Sequence, residues 1–431
     1  MKRKAIFKLV APVLVLSLVA AACGSDNKDD GATPITSEST PAPVNSEVMP
    51  ASVTSDTGAS TLRAGLTGLL TEHIYLAALA TGSALRGDAD GFAAYAAALN
   101  GPSESNTADL VAAIASAYGA ETGTAFEGLW RSDGHIPAVV AYTQAVAVGD
   151  QAKADKAVAD LLAYAKTFGA TMNQVNSNLP ADAVEEGVKM HILTLKAVID
   201  AQKAGDQTAV YASLRIAYGH MSELAETLAV ATATKFPDMF DGDASSPAAD
   251  LRAGMTLLLR EHVLLAASAT GAALGGRQSQ FEAAAGALNG LSSSNTSDIV
   301  GAIRGIYGDE VGTAFDGLWR SNGHIAAVVA YTQAIAAGDQ TKADKAVGEL
   351  IAYATTFGTT MNSVNSNLPA AAVEEAIKMH VTTLKAVIDA QKAGDPVKAA
   401  KALRAAVHHM SGTADVLAEA TVKQFPEKFS G

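Results

Sequence analysis

The chain has 431 residues, of which 49% are hydrophobic, 17% charged and 5% aromatic, and it carries a formal net charge of −13. The hydrophobic fraction excludes wholesale disorder, and the negative charge argues against a nucleic-acid-binding protein. A single cysteine excludes a disulfide framework and an all-cysteine metal site. The length suggests two or three domains, and abundant alanine with few aromatic residues favours helices over sheets.

The start of the chain, over positions 1–22, predicts a secretory signal peptide. A basic start, residues 1–8, precedes an apolar run, residues 9–22, that is short for a membrane span and ends in small residues. Residues 18–23 resemble the signal of bacterial lipoproteins, although Ala20 stands where that family favours leucine. The resemblance implies that Cys23 carries diacylglycerol and an N-acyl chain such as palmitate, which hold the protein on the extracytoplasmic face of the cell membrane. An ordinary signal peptide with a chance cysteine is the alternative.

The body of the chain consists of two copies of one sequence unit. Glu72-His73 recurs as Glu261-His262, and the same shift along the chain carries residues 129–132 onto 318–321 without gaps. A period of that length indicates a domain duplication rather than a solenoid. The segment before the first unit is rich in Ser, Thr, Pro and Asp, which predicts disorder. The predicted organisation is a signal peptide (1–22), the lipidated cysteine with a disordered tether (23–60), a first domain (61–240), a linker (241–249) and a second domain (250–431).

Apolar residues recur at intervals of three and four in both domains, which predicts amphipathic helices. Gly-Asp pairs separate them, since glycine suits the left-handed residue that closes one helix and aspartate caps the next. We therefore predict an all-α fold, two tandem up-and-down bundles of about six helices, or three αα-hairpins, each. The first-domain helices are predicted over residues 61–86, 88–118, 121–148, 150–177, 180–204 and 206–236, with breaks near 100–102 and 132–134.

Four histidines recur in each domain and are the main candidates for a functional site. Three of them precede the glycine of a hairpin turn by the same number of residues, the number that separates His73 from Gly87. The fourth follows the aspartate of such a turn by that same number of residues. If the turns share one end of the bundle, all four histidines lie in one layer, about 21 Å from the turns along the helix axes. Each is also in phase with the apolar face of its helix. The candidate metal ligands are His73, His135, His191 and His220, and their counterparts His262, His324, His380 and His409.

A layer of buried imidazoles has two interpretations. Imidazole is the commonest metal ligand and bundle cores hold cofactors, so the layer predicts a transition metal (copper, iron or zinc) or haem in each domain. Alternatively, each histidine is a core residue satisfied by a carboxylate, a carbonyl or water. The chain has neither His-Glu-x-x-His, the zincin signature, nor the repeated Glu-x-x-His of ferritin-like di-iron proteins.

Other residues flank this layer. Tyr164 has the same spacing from its turn and is predicted to join the layer, and Trp130 is predicted to pack at a helix break. Glu72 points about 100° away from His73 on the helix, and is predicted to contact a neighbouring histidine or to lie at the edge of the apolar stripe. Met190, like the other methionines that adjoin histidines, is predicted to fill space rather than to bind metal.

Several motifs resemble an uncharacterised group of secreted or lipid-anchored bacterial helical proteins with four recurring histidines per domain. They are Leu-Trp-Arg followed by Gly-His-Ile, Met-His-x-x-Thr-Leu-Lys-x-Val-Ile-Asp-Ala-Gln, Gly-His-Met and the final Gln424-Phe425-Pro426. The resemblance implies the helical fold and the histidine layer, and it implies no substrate. The sequence Ser132-Asp133-Gly134 before His135 departs from the continuous helices of that group.

The sequence therefore predicts a lipid-anchored extracytoplasmic protein that binds a metal ion or haem in each domain, for sequestration, sensing or delivery. The alternative is an envelope structural or interaction module without a cofactor. An enzyme is the least favoured interpretation, because the chain has no Gly-x-Ser-x-Gly elbow and no Walker or Rossmann glycine pattern after a strand. The predicted partners are the membrane, through the anchor, and an envelope protein; nucleic acid is not expected.

Overall fold

The computed structural model describes residues 53–132, 134–320 and 323–430, and within these ranges every regular element is an α-helix. The predicted all-α fold is confirmed. The predicted signal peptide, Cys23 and residues 24–52 of the predicted tether lie outside the described residues, as does Asp133.

Two similar sets of helices follow one another along the chain. The first repeat contains α1 (Gly58–Leu85), α2 (Ala89–Asn100), α3 (Asn106–Tyr118), α4 (Ala120–Arg131), α5 (His135–Val148), α6 (Gln151–Val175), α7 (Ala181–Ala204) and α8 (Gln207–Lys235). The second repeat contains α9 (Pro247–Leu274), α10 (Gln278–Asn289), α11 (Asn295–Tyr307), α12 (Asp309–Arg320), α13 (His324–Ala337), α14 (Gln340–Val364), α15 (Ala370–Lys392) and α16 (Pro396–Gln424), with a short α17 (Pro426–Phe429) after it. The two breaks predicted in the first domain separate helices there, and the second repeat is divided at the corresponding places, so that each repeat has eight main helices rather than six.

The hairpin turns form where the sequence predicts them. Asp150 and Asp206 lie just before α6 and α8, and each carboxylate accepts a hydrogen bond from the backbone N–H three residues later. Gly149 and Gly205 close the preceding helices with φ of 75° and 72°, a left-handed conformation that glycine adopts without steric cost. These turns fix where each long helix begins or ends, and therefore the height at which its histidine lies.

The first helix of each repeat lies at the centre of the molecule. In α1, 21 of 28 residues are buried, and in α9, 22 of 28, so both helices are covered on all sides rather than along one stripe. They pack against each other, α8 packs on α1, and α16 packs on α9. One continuous cluster of buried apolar side chains runs through both repeats. The two repeats therefore share a core.

Helix α9 is also the one described helix that is long and apolar enough to cross a membrane by length and composition. Of its most apolar window, 78% is buried inside the protein. Its position at the centre of the shared core accounts for its apolar character without a membrane.

Ion pairs join the two repeats with approximate two-fold symmetry. Arg215 of α8 binds Glu261 and Asp298 of the second repeat. Its counterpart in α16, Arg404, binds Glu72 and the first-repeat aspartate that corresponds to Asp298. Residues that correspond in the two copies of the sequence thus exchange equivalent contacts. The arrangement is that of an isologous dimer interface within one chain.

The last residues of the predicted tether are bound to the second repeat. The hydroxyls of Thr54 and Ser55 both donate to the Glu419 carboxylate at 2.9 Å, and the Ser55 carbonyl accepts a hydrogen bond from Arg252 at 3.0 Å. Helix α1 then begins at Gly58. These contacts hold the start of the first repeat against α9 and α16.

Candidate metal centre

Three helices of the first repeat each contribute one histidine to a common point. His73 lies in the middle of α1, His135 is the first residue of α5, and His191 lies in α7. One ring nitrogen of each lies within 4.8 Å of the other two. The second repeat meets the same criterion with His262, His324 and His380. We call these two groups the first and second histidine triads.

The spacing within each triad suits ligands of a single ion. The ring centroids are 5.6, 5.7 and 5.8 Å apart in the first triad, and 5.5, 5.8 and 6.1 Å apart in the second. The Nε2 atoms of His73 and His135 lie 3.5 Å apart. Two nitrogens bound at about 2.0–2.1 Å to a tetrahedral ion lie about 3.4 Å apart. Small side-chain rotations would therefore close either triad on one ion.

The ring nitrogens of the triad histidines lack the hydrogen bonds that an ordinary core histidine makes. All six are buried, and among the described residues none of them bonds to a carboxylate or a backbone carbonyl; His73 and His262 each interact with an asparagine side chain, Asn106 and Asn295. Nδ1 of all six and also Nε2 of His191 lack a hydrogen-bond partner. Because an unpaired buried polar group is costly, six of them at equivalent positions need an explanation.

Burial keeps the triads neutral. The pKa of His73 is lowered to about 3 and that of His135 to about 4, in both cases mainly because burial penalises the charged ring. Burial, and then the neighbouring histidines, hold the pKa of His191 well below its usual value. In the second triad, burial lowers the pKa of His324 to about 4 and that of His380 to about 3. Neutral imidazole is the form that binds metal, so both triads are in their ligating state at pH 7.

Aromatic rings enclose the first triad. Trp130, at the end of α4, has its ring centroid 5.0 Å from that of His73 and 4.9 Å from that of His135. Tyr164 of α6 lies 5.1 Å from His135, in the layer as predicted. Trp319 and the other counterparts repeat this arrangement around the second triad. An apolar shell of this kind limits the access of water to the site.

Asn106, the first residue of α3, connects the first triad to the interface between the repeats. Its amide Nδ2 donates to the Leu69 carbonyl at 2.8 Å and to the Glu72 carboxylate at 3.2 Å. Its side chain also interacts with His73 and opposes the fall in the pKa of that ring. Sequence reasoning missed this residue, although the break in the second predicted helix, at the height of the histidines, was a signal for it. Its counterpart Asn295 makes the same contacts in the second repeat.

Glu72 is buried in the interface, where its partners come mainly from the other repeat. It lies 3.0 Å from Arg404, 3.5 Å from Arg260 and 3.2 Å from Nε2 of His408. Burial alone would raise its pKa, but these positive and hydrogen-bonding neighbours outweigh burial and hold the pKa far below the usual range. Glu72 does contact a histidine, as predicted, but one from the second repeat that lies outside both triads.

The fourth histidine of each predicted set is not part of a triad. Nε2 of His220 lies 2.8 Å from the Gly187 carbonyl, and Nε2 of His409 lies 2.9 Å from the Ala376 carbonyl. Both rings are only partly buried, and the His220 ring also has Glu223 nearby, at 3.7 Å. The predicted layer of four is therefore a group of three beside one histidine that bridges two helices.

The chemistry available to each triad follows from its ligand set. Three imidazoles occupy three positions of a tetrahedral ion and leave the fourth free for water or another small ligand. A site of this composition can hold an ion and can exchange its fourth ligand.

No family model, no curated protein and no solved structure matches the chain. Its function therefore has to be inferred from the two triads and their surroundings.

Proposed function

We propose that each repeat binds one transition-metal ion through its histidine triad. The observation that carries this proposal is the convergence, in both repeats, of three buried neutral imidazoles that bond to no carboxylate or backbone carbonyl among the described residues. A histidine retained only for packing is expected to have its hydrogen bonds satisfied. Metal coordination gives the converging nitrogens a common partner: the Nε2 atoms of His73 and His135 face each other at 3.5 Å, and Nε2 of His191 has no hydrogen-bond partner.

The donor set narrows the choice of metal. Imidazole suits zinc, copper, iron and nickel. The triads bring no carboxylate, so a divalent ion would keep its full charge in apolar surroundings. This favours monovalent copper, or a zinc or copper(II) ion whose fourth ligand is an anion such as hydroxide. Haem is disfavoured, because its iron takes at most two axial ligands, and a third nitrogen within 4.8 Å of both would lie where the macrocycle has to be.

Metal content after loading tests the proposal. The protein is dialysed against copper, zinc or iron, washed free of loosely bound ions and analysed by mass spectrometry of the elements. We expect two ions per chain for one of these metals, one in His135→Gln, and none in the variant that combines His135→Gln with His324→Gln. His220→Gln, which changes a nearby histidine outside the triad, is the matched control and is expected to keep two.

Metal that remains bound in the double variant, while its circular dichroism shows intact helices, would contradict the proposal. Failure of the unmodified protein to retain any metal would leave the alternative of an envelope structural or interaction module.

We further propose that the protein acts at the cell membrane as a lipoprotein that sequesters, senses or delivers the ion. The support for this is the resemblance of residues 18–23 to a lipoprotein signal. Cys23→Ser removes the sulfur that would carry the lipid, and is expected to release the protein from membranes or block its processing. Ser25→Ala is the control. Membrane association and fatty-acid labelling that persist in Cys23→Ser would overturn the anchor.

A further inference from the structure

An apolar cavity lies beside the second histidine triad. Its volume is about 230 Å³, and it is lined mainly by aliphatic and aromatic side chains of α9, α11, α12, α14, α15 and α16, with His324 and His380 among its lining residues. A cavity of about 150 Å³ with a similar apolar lining is large enough to bind benzene. In proportion, this one accommodates a molecule of about nine non-hydrogen atoms. It is smaller than the pockets of roughly 300–1,000 Å³ that bind drug-sized ligands.

The lining also contains buried polar atoms without partners. Tyr353, Trp319 and Thr413 all line the cavity, and the hydroxyls of Tyr353 and Thr413 and the indole N–H of Trp319 have no hydrogen-bond partner. Burying such groups unpaired is costly. A ligand that carried one oxygen atom could supply a partner to at least one of them.

The first repeat differs from the second at the position of Thr413. Its counterpart in the first repeat is Leu224, and Ala376, which also lines the cavity, corresponds to Gly187. A methyl group placed on Gly187 would lie 3.0 Å from Cδ1 of Leu224. The leucine therefore occupies space directly against α7 in the first repeat, whereas the shorter threonine leaves the corresponding space open in the second.

We propose that the second repeat binds a small uncharged molecule in this cavity, with up to about nine non-hydrogen atoms in all, one of them a hydroxyl or carbonyl oxygen and the rest an apolar body. The lining residues Gly412 and Val416 are exposed, and they mark where the ligand enters. The apolar walls exclude charged molecules, since the lining contains no Asp, Glu, Lys or Arg that would offset their charge. Binding does not depend on metal in the triad.

The test uses the full protein, metal-free, titrated with 4-fluorophenol and followed by fluorine NMR. We expect saturable binding of one equivalent, and weaker binding of fluorobenzene, which lacks the oxygen. The variant that combines Ala376→Gly with Thr413→Leu rebuilds the first-repeat contact in the second repeat, and is expected to weaken binding at least tenfold. Circular dichroism and thermal melting check that this variant is folded.

The reciprocal variant, Gly187→Ala with Leu224→Thr, is expected to bind a second equivalent. Unchanged affinity in the folded Ala376→Gly/Thr413→Leu variant would overturn the proposal, as would the absence of saturable binding to the unmodified protein. Repeating the titration on zinc-loaded protein keeps the result separate from the metal proposal, because the cavity is expected to bind with or without the ion.

Discussion

At the scale of single residues, the molecule holds six imidazoles neutral in apolar surroundings. In the folded state the pKa values of His73, His135, His324 and His380 lie far below about 6.5, the usual value in an unfolded chain. Burial therefore prepares the rings for metal at neutral pH and makes the metal-free protein sensitive to acid.

The metal-free protein is expected to lose stability as the pH falls below 6.5. The unfolded chain takes up protons there, while the folded triads stay neutral until about pH 3–4. Each histidine lowers the free energy of unfolding by about 1.4 kcal/mol per pH unit in this window. Urea unfolding between pH 7 and 5 measures this loss. The variant with His135→Gln and His324→Gln lacks two of the six titrating rings and should have a shallower slope; an equal slope would show that the triads do not cause it.

Glu72 and Glu261 correspond in sequence but are not equivalent in their surroundings. Glu72→Gln removes the carboxylate that faces the fully buried Arg260 as well as Arg404, and is expected to cost about 3–5 kcal/mol. Glu261→Gln is the matched control, since its partner Arg215 keeps a second carboxylate, and it should cost less. Chemical denaturation at pH 7 measures both, and equal losses would contradict the role assigned to Arg260.

At the scale of helices, His220 and His409 join α8 to α7 and α16 to α15 rather than binding metal. His220→Ala and His409→Ala should each lower the free energy of unfolding by about 1 kcal/mol, the usual contribution of one hydrogen bond. Metal content should stay at two ions per chain. A loss of one ion in either variant, with helicity unchanged, would show that the replaced histidine is a metal ligand after all.

The heights of the histidines could be predicted from the sequence because Gly-Asp turns fix the helix ends and the rise per residue is constant. The sequence does not predict which of these side chains turns inward. His220 is in phase with an apolar stripe, yet its ring meets the Gly187 carbonyl, as the His409 ring meets the Ala376 carbonyl, so helical phase alone does not separate these rings from the triads. Asn106 was not predicted, since it follows a helix break whose path depends on tertiary packing. The contact between Glu72 and Arg404 joins residues 332 positions apart, and helical periodicity carries no information at that range.

At the scale of the whole molecule, the two repeats form one body with α1 and α9 at its centre. Residues 250–431 alone would expose the face of α9 that α1 covers. Because the interface is nearly two-fold symmetric, a second copy can supply the contacts that the first repeat makes in the full chain. We expect this fragment to form a dimer with cooperative melting. Light scattering after size exclusion measures its mass, and a stable helical monomer would contradict the shared core.

The most direct test of the central claim is anomalous X-ray diffraction from crystals of the full protein loaded with the metal that it retains. The claim predicts two strong peaks per chain, one in each histidine triad, each about 2 Å from a ring nitrogen of all three histidines. His220 and His409 should lie outside the coordination sphere. Peaks found only at surface carboxylates, or triads that stay empty at full metal loading, would contradict it.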